Sequence, residues 1–214
     1  MDFEDTELYR DITDAAHDTP AWVQHTVETW TEAGILLFVV LFATAWWRAR
    51  HGTTKAFAIA SLAPLATAVA YLCSEVLKSG FTEERPCRAV TDAASSLAAC
   101  PPPGDWSFPS NHATIAGAAA VTLALVRRTA LRLTAPLALL MAFSRVFVGV
   151  HYPHDVAAGL ALGAVVAFAV VRLCSRPATR LAGAMRAPSA PAAARWFTGP
   201  GPRPTQVPSY DLRH

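Results

Sequence analysis

The sequence predicts an all-α protein, a multi-pass transmembrane helical bundle of about five spans with an N-terminal amphipathic segment. Three observations carry that prediction. Of 214 residues, 53% are hydrophobic and only 16% charged, and the mean hydropathy is +0.29, a balance that suits a chain solvated by lipid rather than water. Apolar runs of roughly 17 to 22 residues recur, each close to the ~20 that cross a bilayer core as a helix. Basic residues gather at the ends of these runs. The same composition excludes a nucleic-acid partner, because the net charge is only +2 and no basic run is interleaved with aromatics. The opening residues Asp2, Glu4, Asp5 and Glu7 lack the basic-then-apolar order of a signal peptide, so the spans themselves are expected to direct insertion.

Residues 1–29 form an acidic, weakly amphipathic N-terminal segment in this reading. Thr19-Pro20 offers a helix start, with a hydroxyl at the cap and proline at the first helical position. Val23, Val27 and Trp30 then recur at helical spacing and, with Trp22, make an interfacial anchor. The membrane domain is expected over residues 30–175. Its spans run from about Trp30 to Trp47, Ala56 to Leu77, Ser110 to Val126, Leu133 to Val150 and Pro153 to Val171. Residues 176–214, rich in Arg, Pro and Ala, are expected to form a disordered tail.

Charge predicts the topology. If five spans alternate, Arg48, Arg50, Lys55, Arg127, Arg128, Arg132 and the arginines between 172 and 186 share one side. The positive-inside rule places that side in the cytoplasm, with the C-terminus, and places the N-terminus and the long loop 79–108 outside. Cys73 and Cys174 lie within apolar runs as small buried hydrophobes. Cys87 and Cys100 flank twelve residues of the long loop and would pair if it faces an oxidising compartment.

The same bookkeeping brings three polar clusters to one membrane face. Lys78 and Arg85 close the second span, Ser110, Asn111 and His112 open the third, and Arg145, His151 and Asp155 occupy the join of the fourth and fifth. Each cluster alone has a plainer reading: a snorkelling lysine, a helix cap, a polar helix-loop-helix join. Together they put three cations around one point, where an anion must sit between them. A helix N-terminus with free N–H groups at Ser110 to His112 favours the same anion. The expected ligand is therefore a phosphate, held by Lys78, Arg85, Ser110, Asn111 and Arg145. Asp155, four residues after His151, orients its ring for attack on phosphorus, and His112 protonates the leaving oxygen. No cluster shows metal-ligand spacing, so no metal or other cofactor is expected. His154 reads as a rim residue.

Lys78 with Arg85-Pro86, Pro109-Ser110-Asn111-His112, and Ser144-Arg145 with His151 and Asp155 resemble the three-part signature of the type 2 phosphatidic acid phosphatase superfamily. The resemblance spans residues 78–155 and implies a helical core, a phosphohistidine intermediate, no metal, and the residue roles just argued. Asn111 departs from the glycine usual there. With Phe108 to Thr114, Gly149 to Pro153 and the acidic start, it makes the chain most similar to the bacterial undecaprenyl-diphosphatases linked to bacitracin resistance. That implies removal of the terminal phosphate of undecaprenyl diphosphate on the outer face of the cytoplasmic membrane, recycling the carrier lipid for cell-wall (peptidoglycan) synthesis. Membrane lipids and a lipid phosphate are the expected partners; the sequence says nothing of oligomeric state. The alternatives are phosphatidic acid, phosphatidylglycerophosphate or decaprenylphosphoryl-sugar phosphatases, and a non-catalytic lipid-phosphate binder or transporter. The vanadate-binding, halide-oxidising branch is disfavoured by the apolar spans.

Overall fold

The computed structural model describes residues 3–202. Helix α1 (Phe3–His17) is followed by α2 (Ala21–Ala49), α3 (Thr54–Gly80), the single turn α4 (Pro86–Ala89), α5 (Asn111–Val126), a 3₁₀ turn (Arg128–Ala130), α6 (Leu131–Phe147), α7 (Pro153–Arg186) and α8 (Ala192–Thr198). Among the described residues there is no strand. Helices α2, α3, α7 and the stretch Arg128–Phe147 are long and apolar enough to cross a membrane. The apolar α5, with 16 residues, falls where the fifth span was expected but is shorter than these four.

Helix α5 is the axis of the bundle, and its alanines explain why. Ala113, Ala116, Ala118, Ala119 and Ala120 are buried, so neighbouring helices approach its backbone closely, as small residues allow in membrane bundles. The approach is tightest against α7. A Cβ on Gly163 would overlap the Thr114 carbonyl, and one on Gly117 would overlap the Leu160 backbone. Glycine at these two positions fixes the start of α5 against the start of α7. Helix α2 is more peripheral: Thr31, Gly34, Phe38 and Ala49 are its buried residues, while Leu36, Val39 and Val40 face outward, toward lipid.

Helix α1 lies across the end of the bundle where α3 stops and α5 and α7 begin. Its buried residues Tyr9, Thr13 and Ala16 recur at i, i+4 and i+7, the stripe expected of an amphipathic helix. The Tyr9 hydroxyl donates to the Gly149 carbonyl at 3.0 Å. Gly149 adopts φ +81, a left-handed conformation open to glycine, and turns the chain from α6 toward α7. Cys87 and Cys100 are joined in a disulfide, Cα atoms 6.0 Å apart.

Three local expectations are revised. Thr19 does not cap α2: its hydroxyl donates back to Ala16 O at 2.6 Å, closing α1, and Pro20 itself occupies the cap position. Helix α2 begins at Ala21, so the interfacial anchor at residues 21–29 is continuous with the first span. At the other end, α7 continues past 175 to Arg186, and α8 folds back onto the bundle. The Arg186 guanidinium ties the two, donating to Thr198 O at 2.9 Å and Gly52 O at 3.0 Å. Arg50 lies 4.6 Å above the Trp47 ring and 4.9 Å from that of Trp196. An Arg/Ala-rich composition that reads as loop is held here by half-buried guanidinium-to-carbonyl hydrogen bonds. The expectation of disorder from 203 onward lies outside the described residues.

Candidate active site

The structure brings the three clusters to the same end of the bundle. Lys78 stands in the last turn of α3, Arg85 just before α4, His112 in the first turn of α5, Arg145 in the last turn of α6, and Asp155 in the first turn of α7. Lys78, Arg85, Ser110, Arg145, His151 and Asp155 are all buried. Burying three cations beside one another is costly unless anions and donors are matched, so their convergence marks a built site.

His151 sits in the loop between α6 and α7 with its ring held at both nitrogens. Nδ1 is 3.2 Å from Asp155 Oδ2, and Nε2 is 3.1 Å from Arg85 Nη1. Arg85 can only donate, so Nε2 carries the lone pair and Nδ1 the hydrogen. That is the tautomer a nitrogen nucleophile needs. Burial, and then the charges of Arg85, Arg145 and Lys78, push the imidazole pKa well below the usual 6.5, so the ring is neutral at pH 7. Asp155 is fixed in turn: Oδ2 accepts from the Tyr152 backbone N–H at 2.8 Å and from the Ser107 hydroxyl. The Tyr152 contact is half of a capping box at the start of α7, so helix initiation and ring orientation share one carboxylate.

The cations are set from other elements. Arg85 also donates from Nη1 to Val150 O at 3.0 Å. Arg145 Nη1 donates to Thr31 Oγ1 at 2.9 Å and lies 3.6 Å from Glu32, which draws the guanidinium toward α2. Ser110 donates its N–H to Asp155 O at 3.1 Å. Ser110 Oγ and Arg145 Nε are buried with no hydrogen-bond partner among the described residues. His112 lies within electrostatic reach of Arg145, His151, Arg85 and Lys78. An anion among these groups would meet a neutral imidazole, three cations and spare donors at once.

Asn111 departs from the expected role. Its carboxamide donates to Glu75 Oε1 at 2.5 Å and accepts from Ser74 Oγ at 2.7 Å. The side chain is thus committed to α3 and pins the start of α5 there. His154 is more than a rim residue. Its Nε2 is 3.1 Å from Glu83 and 3.3 Å from Asp155 Oδ1, and Nδ1 is 2.5 Å from Asp5. Glu83, His154 and Asp155 are the one grouping among the described residues with ligand atoms close enough to hold a metal. An imidazole already hydrogen-bonded at both nitrogens, to Asp5 and Glu83, with Asp155 Oδ1 at ion-pair distance, fits a strut joining α1, the loop and α7 better than a metal centre.

Sequence reasoning missed Ser107, Thr31 and above all Asp105. Asp105 Oδ1 accepts from Arg85 Nη2 at 2.9 Å and from Lys78 at 3.3 Å, and its carbonyl accepts from Arg85 Nε at 2.9 Å. A single acid in a Pro/Gly loop facing a basic cluster was the available signal. An apolar groove of about 660 Å³ runs between α2 and α3, from Trp46 and Phe197 at the far end of the bundle to Tyr71 and Ile115. Phe38, Phe42, Pro64, Tyr71 and Ile115 line it, Ile115 being one turn from His112.

Comparison with known proteins bears on the family. Residues 59–177 match the PAP2 superfamily. A decaprenylphosphoryl-5-phosphoribose phosphatase of Mycobacterium tuberculosis is 53% identical over 64 residues, 30% of this chain and 35% of that protein. An undecaprenyl-diphosphatase of Sulfolobus acidocaldarius is 43% identical over 74 residues, 34% of this chain and 36% of that protein. The matched region is thus about a third of the length of these curated relatives. Among solved structures, a transmembrane PAP2-type phosphatidylglycerolphosphate phosphatase from Bacillus subtilis superimposes with TM-score 0.61 at 22% identity, over 82% of this chain and 88% of that one. Aquifex aeolicus LpxE gives 0.60 at 20%, over 78% and 93%. These two establish the shared helical fold. With more than half of the chain inside the match, this protein belongs to the PAP2 superfamily.

Proposed function

We propose that the protein is an integral membrane phosphatase that removes a phosphate from a polyprenyl phosphate lipid, undecaprenyl diphosphate foremost, through a phosphohistidine on His151. The observation that carries this reading is the neutral His151 ring held by Asp155, with Nε2 turned into the cation cluster.

The reaction follows from the groups present. The terminal phosphate binds between Lys78, Arg85 and Arg145, with Ser110 and the start of α5 donating to its oxygens. Nε2 of His151 attacks phosphorus while the bond to the leaving oxygen breaks, and His112 delivers a proton to that oxygen. Asp155 stabilises the positive charge that grows on the ring. In the second half, His112 takes a proton from water, the water oxygen attacks phosphorus, and the N–P bond breaks. The electrostatic work falls on side-chain cations, so turnover is expected to persist in EDTA.

The lipid class rests on two supports. Both curated relatives are named for polyprenyl phosphates, and the apolar groove between α2 and α3 offers a prenyl tail a path beside a headgroup site. A decaprenylphosphoryl-sugar phosphatase is the second reading, favoured by the 53% identity to that relative. The proposed location is the bacterial cytoplasmic membrane with the site facing outward. Arg48, Arg50, Lys55 and the arginines of α7 lie at the opposite end of the bundle, as the positive-inside rule requires. The Cys87–Cys100 disulfide suits an oxidising exterior.

Phosphate release by detergent-purified protein in EDTA, from undecaprenyl diphosphate, decaprenylphosphoryl-5-phosphoribose and phosphatidic acid side by side, tests the substrate. Preference for the diphosphate supports the carrier-lipid reading. Preference for the sugar phosphate or phosphatidic acid keeps the chemistry and moves the substrate.

A further inference from the structure

The cation cluster that the proposed reaction needs for substrate is already engaged by an anion from the chain itself. Asp105 Oδ1 is shared by Arg85 and Lys78 at 2.9 and 3.3 Å, and Arg85 is the cation that also reaches Nε2 of His151. The two sides of this contact are unlike. Lys78 and Arg85 have side chains 9% and 4% exposed, whereas the Asp105 side chain is 44% exposed. Asp105 also lies on irregular backbone between the turn at Pro103-Gly104 and α5. The cations are enclosed, and the carboxylate meets them from the solvent side.

We propose that Asp105 is an internal, displaceable stand-in for the substrate phosphate, which holds Lys78 and Arg85 between turnovers and helps expel inorganic phosphate after hydrolysis. A carboxylate has the charge sign and oxygen geometry of a phosphate edge, but it meets the two cations through one oxygen. A phosphate dianion offers more oxygens and more charge, so it wins the competition while bound to lipid. Once hydrolysis frees it, inorganic phosphate lacks the tail that held it, and the returning carboxylate reclaims the cations. The hydrogen bond from Arg85, with the charges of Arg85 and Lys78, outweighs burial and holds the Asp105 carboxyl below the usual carboxylate range. The competitor is therefore charged across the neutral range. The cost is weaker apparent substrate binding; the gain is relief from product inhibition.

This inference rests on the proposed phosphate site, and the experiment separates the two. Inhibition by inorganic phosphate is measured for wild type, Asp105→Asn, Asp105→Ala and Arg85→Ala, with direct phosphate binding by calorimetry. A competitor predicts tighter phosphate binding in both Asp105 variants, by about threefold or more, the scale of one partly exposed ion pair removed. Arg85→Ala should lose phosphate binding. Unchanged or weaker phosphate binding in both Asp105 variants would mean that the carboxylate merely positions the cations, and would overturn the inference while leaving the site intact. Failure of every form, wild type included, to bind phosphate would overturn site and inference together.

Discussion

Asp155 and His151 are joined through one oxygen and one nitrogen, Oδ2 and Nδ1, 3.2 Å apart, and the same oxygen caps the backbone of Tyr152 at the start of α7. The relationship makes ring orientation a property of the helix terminus. Replacing the carboxylate by an amide removes the charge that stabilises an imidazolium and permits the wrong tautomer. Asp155→Asn is expected to lower kcat by roughly 10²- to 10⁴-fold with a smaller change in KM, as steady-state kinetics will show.

The depressed His151 pKa sets a pH dependence. In the proposed reaction the active form is the neutral ring, and protonation at low pH would remove the nucleophile. The acid limb of kcat/KM is therefore expected below the ordinary imidazole value of 6.5, measured as a pH profile between about 4 and 8. Stability follows the same sign. Below pH 6.5 the unfolded chain takes up a proton that the folded site resists, so this residue's contribution falls as pH drops.

The meeting of α5 and α7 depends on absent side chains. Because a Cβ at Gly163 would collide with Thr114 backbone, Gly163→Ala should destabilise the bundle by about 1–3 kcal/mol and separate His112 from His151. A lower Tm in detergent, together with a fall in kcat, is the expected pair of results; an unchanged Tm would show that the helices slide apart freely.

The Cys87–Cys100 bridge closes a short segment, sequence separation 13, beside Arg85 and Asp105. By chain entropy such a loop is worth about 3 kcal/mol. Cys87→Ser, or reduction, should lower Tm and weaken phosphate inhibition by loosening the support of Arg85. Free-thiol counting before and after reduction checks the bridge itself.

The parts of the site legible in sequence are those where charge interrupts an apolar run. Lys78, Arg145 and Asp155 had to be explained because lipid penalises them, and alternating spans put them at one end. Asp105 and Ser107 lay in a polar loop, where an acid or hydroxyl is ordinary unless the loop is already known to face the basic cluster. Thr31 and Glu32 support Arg145 from more than a hundred residues away, a relation no local pattern contains. The multi-span reading was legible because apolar length is a strong signal: four helices are long and apolar enough to cross, and the shorter α5 falls where the fifth was expected. The continuation of α7 to Arg186 was hidden by composition, although its alanines and arginines are good helix formers and pointed that way. Asn111 was assigned by its place at a helix N-terminus, whereas the partners of its side chain are set by where α3 passes.

The most direct test of the central claim is to trap the covalent intermediate. Wild-type protein mixed with terminally labelled polyprenyl diphosphate and quenched within one turnover is expected to carry an acid-labile, base-stable phosphate on the peptide containing His151, absent in His151→Ala. Label on another residue, or full turnover by His151→Ala, would contradict the account.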